Sequence, residues 1–360
     1  MLIISIVPRL KPAIDGVGDY ALILARQLRC DFGIQTHFVV TEPTQFQMAE
    51  IDGFPVKQLT RHSATTLQSA LPVADTAIVL LHYVGYGYAT RGCPIWLVEG
   101  IHHWRAAKAD RRLLTMFHEI YAAGRPPWTS AFWIAALQKH LAARLVHISD
   151  RLITSKQLYA EILGQLSKGK HSNITCSPIF STIGEPQNRL PLAQRQRRLV
   201  IFGGKANRAR VYRESLTQLQ DICHRFALHE ILDIGPPLQR DALREIGINL
   251  REMGELPATE VSEILSTSLA GFINYNPDYL AKSTIFAAYC SHGMLSISAQ
   301  FSHFSIDGLD AGKHYLWTGE LTDEIMQLSR LQVIANNAFA WYQSHNISVH
   351  TNLFASCLAE

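Results

Sequence analysis

Four short groups of residues have the types and spacing to act on a phosphorylated or hydroxylated ligand. The first is GVGDY, Gly16 to Tyr20, set between an opening apolar run and a helical pattern. Glycines in such a place let backbone amides come close to a ligand. With Ala21 the segment also fits GxGxxA, the dinucleotide fingerprint, and Glu42, 24 positions beyond Gly18, stands where a ribose-binding acid would. Eight residues separate the apolar run from Gly16, whereas the fingerprint places its first glycine directly after a strand. NAD binding is therefore the outside reading, and a glycine-rich turn without any ligand stays open beside it. The second group is His118 with Glu119, directly after the strand-like LLTMF (113–117). A histidine there can position a hydroxyl or manage a proton near neutral pH, with the carboxylate holding its tautomer or binding a further hydroxyl; a strand-end hydrogen bond is the plainer alternative. The third is Gly203, Gly204, Lys205, Arg208 and Arg210, a glycine turn followed by cations, which can grip a diphosphate or stand as a solvated basic loop. The fourth is Lys282, Ser283 and Thr284 at the start of an apolar helical run. There the helix's positive end and a lysine make an anion site, or Ser283 is an ordinary N-cap.

Other residues carry less. His102 and His103 are adjacent in a helical run, so they point about 100° apart and do not form a metal pair. His82 and Tyr83 precede a GYGY segment and either contact an acceptor or pack as aromatics. The six cysteines show no CxxC pair, which fits free thiols in a reducing compartment and makes a zinc site unlikely on spacing grounds. Lys plus Arg number 33 against 30 for Asp plus Glu, too near balance to indicate nucleic acid without a clustered basic face.

The elements that must position these groups alternate. IISIV (3–7), a helical run from Asp19 to Arg29, THFVV (36–40), TAIVLL (76–81), LLTMF, a helical run after Pro127 and RLITS (151–155) give a first half with five strands. The stretch from Ser172 to Arg198, rich in proline and ending in a basic cluster, reads as a linker between domains. A second half restarts with RLVIFGG (198–204), a helix from Tyr212 to Phe226, HEILDIG (229–235), a helix from Gln239 and AGFINYN (270–276); a helical spacing of apolar residues follows from Leu321. Alternation of this kind predicts an α/β protein with two parallel sheets. A length of 360 residues with 48% hydrophobic and 18% charged residues suits two such cores. No run reaches the length of a membrane span and the N-terminus lacks a signal-peptide pattern, so a cytoplasmic protein is expected, with peripheral contact to a membrane surface left open.

IDGVGDYALILARQL (14–28), TMFHEIYAAGRPPWTSAFW (115–133), FGGKANRAR (202–210) and MGELPATEVSEIL (253–265) together resemble retaining GT-B glycosyltransferases of glycosyltransferase family 4, the "glycosyl transferases group 1" type. The resemblance covers nearly the whole chain. It implies two Rossmann-like domains with parallel sheets facing across a cleft: 1–178 on the acceptor side, 179–340 on the donor side, and 341–360 as a crossover helix that begins with WYQSH and packs back towards the first domain. It implies that Gly16 and Gly18 approach donor phosphates or acceptor, that His118 faces the transferred sugar, that Lys205 and Arg208 neutralise a diphosphate beside Gly204, and that the segment holding Leu256 contacts the base. Two glutamates eight positions apart are usual in this family, and this chain has Leu280 and Ala288 there; Lys282, Ser283 and Thr284 would then hold the donor differently. The expected activity is sugar transfer from a nucleoside-diphosphate sugar to an acceptor hydroxyl, with retention, no metal and no cofactor beyond that co-substrate. The acceptor is a glycan, a lipid-linked glycan or a small molecule. A sugar-nucleotide epimerase, and a degenerate protein that binds a nucleotide sugar or a partner without turnover, are the alternatives.

Overall fold

The computed structural model describes residues 1–12, 15–42, 49–122, 128, 130–238 and 249–359. The chain divides into two compact units, Met1–Pro178 with His350–Glu360, and Ile179–Val349. The helix anticipated from Gln239 and the prolines before Trp128 lie outside the described residues.

In the first unit the strands are β1 (Leu2–Val7), β2 (Gln35–Val40), β3 (Glu50–Ile51), β4 (Phe54–Gln58), β5 (Ala77–Tyr83), β6 (Arg111–Phe117), β7 (Arg151–Thr154) and β8 (Thr175–Cys176). They form one sheet in the order β3-β4-β2-β1-β5-β6-β7-β8, parallel except for the β3–β4 pair. The helices are α1 (Gly16–Phe32), α2 (Ala64–Ala70), α3 (Gly85–Tyr88), α4 (Ile95–Ala106), α5 (Ser130–Ile148) and α6 (Gln157–Ser167). The central strands are apolar on both sides because helices cover both faces. Ala21, Leu22 and Ala25 of α1 pack with Val7, Phe38, Val40 and Phe54. Leu97, Val98 and Ile101 of α4, with Leu141, Leu145 and Val146 of α5, pack with Val79, Leu81 and Leu113 in a separate cluster. Five strands are plain in the sequence. β3, β4 and β8 are not, since two are only two residues long and β4 carries Pro55, which weakens a strand pattern.

The second unit holds β9 (Gln196–Phe202), β10 (Glu230–Ile234), β11 (Leu250–Gly254), β12 (Ser268–Ile273), β13 (Leu295–Ser298) and β14 (Leu316–Trp317), in the all-parallel order β11-β10-β9-β12-β13-β14. Its helices are α7 (Lys205–Glu214), α8 (Leu216–Arg225), α9 (Ala258–Thr267), α10 (Thr284–Ser291) and α11 (Leu328–Gln343); α12 (Ile347–Ala359) begins here and supplies the C-terminal residues of the first unit. In both sheets the first strand stands beside the second on one side and beside a later strand on the other. The winding direction reverses there, at β1/β5 and β9/β12, and ligands of doubly wound sheets bind outside the carboxyl ends of such strands.

Three local readings need correction. The helix expected from Tyr212 to Phe226 is two helices, broken at Ser215, whose hydroxyl accepts a 2.8 Å hydrogen bond from Asn274. The stretch expected as linker up to Arg198 gives way to β9 at Gln196, and its arginines bond to the fold, Arg197 to the Phe226 carbonyl. Arg195 is buried and binds the carbonyls of Leu190, Leu265, Ser268 and His292, with burial pulling its pKa down to about 10, while Arg198 reaches Ser268 and Thr267. Leu321, Ile325 and Met326 precede α11 as turn residues packed on the second core, so the helical spacing there runs ahead of the helix. Among the described residues no helix is long and apolar enough to cross a membrane.

Candidate functional site

In the first unit, α1 starts with Asp15 as its N-cap, and the Asp15 Oδ1 accepts from the amides of Val17 at 2.8 Å and Gly18 at 3.1 Å. Two of the amides that a phosphate would need are thus taken by a carboxylate, which also repels an anion. A Cβ on Gly18 would sit 2.2 Å from the Arg9 carbonyl oxygen, so this glycine answers to the packing of the loop after β1. Around Gly16 nothing lies within 4 Å of such an atom. Glu42 pairs with Arg9, which gives the candidate ribose acid a partner inside the protein. Dinucleotide binding by this loop is not what the arrangement favours.

His118 and Glu119 follow β6, and both backbone amides reach the Tyr83 carbonyl at the end of β5, at 2.9 and 3.4 Å. Both side chains are half-buried. Tyr20, in the first turns of α1, sets its ring edge-on to His118 with centroids 5.1 Å apart, so the glycine loop and the histidine share one place on the sheet. His82 is fully buried and lies behind His118; Tyr83 is equally buried and packs on Phe117. Their burial favours the packing alternative, and GYGY forms α3. His102 and His103 sit on α4 with His103 bonded to Gln68.

In the second unit the loop after β9 and the start of α10 meet. Gly203 has φ +124°, and a Cβ there would lie 2.5 Å from Ile285 Cδ1, so only glycine lets this turn lie against the first turn of α10. Gly204 caps α7 and Lys205 opens it, both exposed. Ser283 is the N-cap of α10, its hydroxyl accepting from the Phe286 amide at 3.2 Å, with Thr284 first in the helix and Lys282 just before it beside the Tyr279 ring. Two sequence groups about 80 positions apart, flanking the β9/β12 reversal, therefore meet where Gly203 lies against Ile285, at a helix's positive end.

Arg208 is placed otherwise than a free cation. Its side chain is about 1% exposed, Nε donates to the Gly203 carbonyl at 2.9 Å, and the remaining nitrogens bind Asp233 and the Pro236 carbonyl. Tyr212 donates to the other Asp233 oxygen at 2.5 Å. Arg210 is half-buried on α7, and Leu256 is half-buried in the turn between β11 and α9. Leu280 and Ala288, at the positions of the missing glutamates, are core residues at 1% and 0% exposure. A small crevice at the reversal is also lined by Asn207, Asn274 and Tyr275. Asn274 and Tyr275 directly follow the apolar strand GFI, which is the sequence signal for them, while Asn207 stands among the cations of FGGKANRAR.

No protein-family model and no curated protein matches this sequence. Solved structures do match in fold. The α,α-trehalose 6-phosphate synthase of Burkholderia multivorans aligns at 10% identity over 99% of this chain and 97% of its own, with a TM-score of 0.61. The pneumococcal O-GlcNAc transferase GtfA, solved in complex with UDP and GlcNAc, aligns at 8% identity over 100% and 98%, with a TM-score of 0.62. A UDP-N-acetylglucosamine 2-epimerase (so described as putative) of Listeria monocytogenes aligns at 13% identity over 96% of both chains, with a TM-score of 0.54. At such identities the likeness is one of fold, and fold alone does not decide activity. The two parallel-sheet units and these neighbours make the fold that of the GT-B class, two Rossmann-like α/β domains in one chain.

Proposed function

We propose that this protein is a glycosyltransferase of the hexosyl type that moves a sugar from a nucleoside-diphosphate sugar to an acceptor hydroxyl, with retention and without metal or resident cofactor. The observation that carries the reading is the meeting of the Gly203–Lys205 turn with the Lys282–Thr284 helix start at the chain reversal of the second sheet. When the bond between the sugar's anomeric carbon and the phosphate oxygen breaks, negative charge grows on the diphosphate. In this reading Lys205, Lys282 and the positive end of α10 stabilise it. Arg208 serves this surface by holding the Gly203 turn, and Leu256 offers an apolar contact to the base. In the first unit His118 and Glu119 serve the transferred sugar, and the open side of Gly16 serves the acceptor, whose hydroxyl oxygen forms the new bond to the anomeric carbon as its proton passes to the departing diphosphate oxygen. Exposed Trp128 and Trp133, at 85% and 69%, favour a lipid-linked acceptor and contact of a cytoplasmic enzyme with a membrane surface.

Calorimetric titration with uridine, guanosine, adenosine and thymidine diphosphates and with NAD tests the donor site. One nucleoside diphosphate should bind selectively, and more weakly to folded Lys205→Ala and Lys282→Ala variants. Binding of NAD alone would refute the reading. The apolar Leu280 and Ala288 favour a second reading, a protein that binds the nucleotide sugar without turnover; incubation with the matching nucleotide sugar and acceptor mixtures, followed by product analysis, separates the two.

A further inference from the structure

Behind His118 lies an imidazole that the reaction outlined above does not use. His82, on β5, is fully buried, and its Nδ1 stands 3.2 Å from His118 Nε2. The ring planes differ by 25° and the centroids are 5.5 Å apart. That separation is close to the N···N distance plus one ring's width, so the two imidazoles meet edge to edge through their nitrogens. Tyr20 packs edge-on against both, at 5.7 and 5.1 Å between centroids, and its hydroxyl is bonded to His350 Nε2, whose Nδ1 is 3.1 Å from the Ser177 hydroxyl. The Tyr88 hydroxyl donates to the His82 carbonyl at 2.8 Å. Helix α12, the turn after β8 and helices α1 and α3 thus all fix the pair.

A hydrogen bond between two imidazole nitrogens contains one proton, and one partner must accept. Burial lowers the His82 pKa to about 3, so this ring is neutral at ordinary pH and carries one N–H. Its Nε2 is buried with no hydrogen-bond partner among the described residues. A proton on Nε2 would be an N–H sealed away from any acceptor; a proton on Nδ1 makes the bond to His118 and leaves only a lone pair unmatched. Orphaned buried N–H groups are the rarer and costlier of the two defects.

We propose that His82 donates its Nδ1–H to His118 Nε2, which fixes the His118 proton on Nδ1 and makes His82 a positioning residue for His118. This rests on the reading of His118 as the residue serving the transferred sugar. With Nε2 already accepting, His118 gains a second proton only by breaking the bond to His82, so it acts as a neutral N–H donor and not as a proton carrier. Among the described residues the titratable groups near the pair include Tyr20, whose hydroxyl is turned to His350, and Glu119, next in the chain.

Long-range proton–nitrogen spectra of the full-length chain labelled with ¹⁵N-histidine report each ring's tautomer directly, with His82→Asn and His118→Gln assigning the signals. Both rings should be Nδ1–H tautomers. His82→Asn places a side-chain amide near the lost Nδ1 and should leave His118 as Nδ1–H, whereas His82→Phe should let it relax to the Nε2–H form that free imidazole prefers. If His118 carries its proton on Nε2 in the native protein, the proposal is overturned; the same holds if folded His82→Phe leaves its tautomer unchanged. Should His82→Phe not fold, the native and His82→Asn spectra still decide. None of these readouts requires turnover, so a failure of the transferase reading leaves the tautomer result standing, and the reverse.

Discussion

The guanidinium of Arg208 and the carboxylate of Asp233 form a buried ion pair that ties the loop after β9 to the end of β10. Removing one member of such a pair strands the other charge in the core, which costs about 3–5 kcal/mol. Arg208→Met is expected to lose stability on that scale in urea unfolding, and the added change Asp233→Asn should recover part of it, because the stranded charge is then gone. A loss below about 1 kcal/mol, together with undiminished folding and abolished diphosphate binding, would show instead that the arginine's charge is spent on the ligand.

The two glycines of the first loop should separate under substitution. A Cβ at Gly18 collides with the Arg9 carbonyl, and backbone does not give way as a flexible side chain does. Gly18→Ala should therefore cost about 1–3 kcal/mol in thermal or urea unfolding, while Gly16→Ala should stay within about 0.5 kcal/mol. If Gly16→Ala keeps its stability but loses turnover with acceptor, the open side of Gly16 is acceptor surface; equal stability losses would contradict the packing argument.

How much of this was legible before the fold is clearest at individual residues. The central strands and the turn Gly203–Gly204 announce themselves, because a strand buried on both faces must be an apolar run and a turn against a helix must lack a Cβ. The partners of Arg208 do not. Its cationic neighbours look the same in sequence, and only the position of Asp233 on the adjacent strand turns this one inward. His82 was similarly opaque: strand alternation does not say that it lies against another histidine 36 positions away. Short edge strands such as β8 and β14 are set by pairing, not by their own two residues.

Acid should weaken the fold through its buried histidines. Burial lowers the pKa of His292 to about 4 and of His345 to about 3. An unfolded histidine near 6.5 binds a proton that the folded one refuses, so between about pH 6.5 and pH 4 the unfolded chain holds more protons and stability falls as pH falls. Each such group contributes on the order of 2–3 kcal/mol to the loss by pH 4. Urea titrations at stepped pH should show the decline beginning near pH 6.5. It should be shallower in His345→Phe, a residue buried against Trp341 and Tyr342. An unchanged slope in that variant would mean that His345 stays neutral for another reason or does not titrate in this range.

Restoring the absent acidic pair should fail, because the fold has used the space. Ala288 is fully buried in α10 and Leu280 lies in the core one helical segment earlier. A glutamate at either place must bring a carboxylate into apolar surroundings, where it either stays protonated or forces the helix start to shift. Ala288→Glu is expected to destabilise the protein by more than about 3 kcal/mol and to weaken diphosphate binding by displacing the start of α10 from the Gly203 turn. Calorimetry with the preferred nucleoside diphosphate, run beside urea unfolding, measures both. A folded Ala288→Glu variant that binds the donor more tightly would show that the glutamate position still faces the ligand, and that the lysine-based grip argued for the second unit is incomplete.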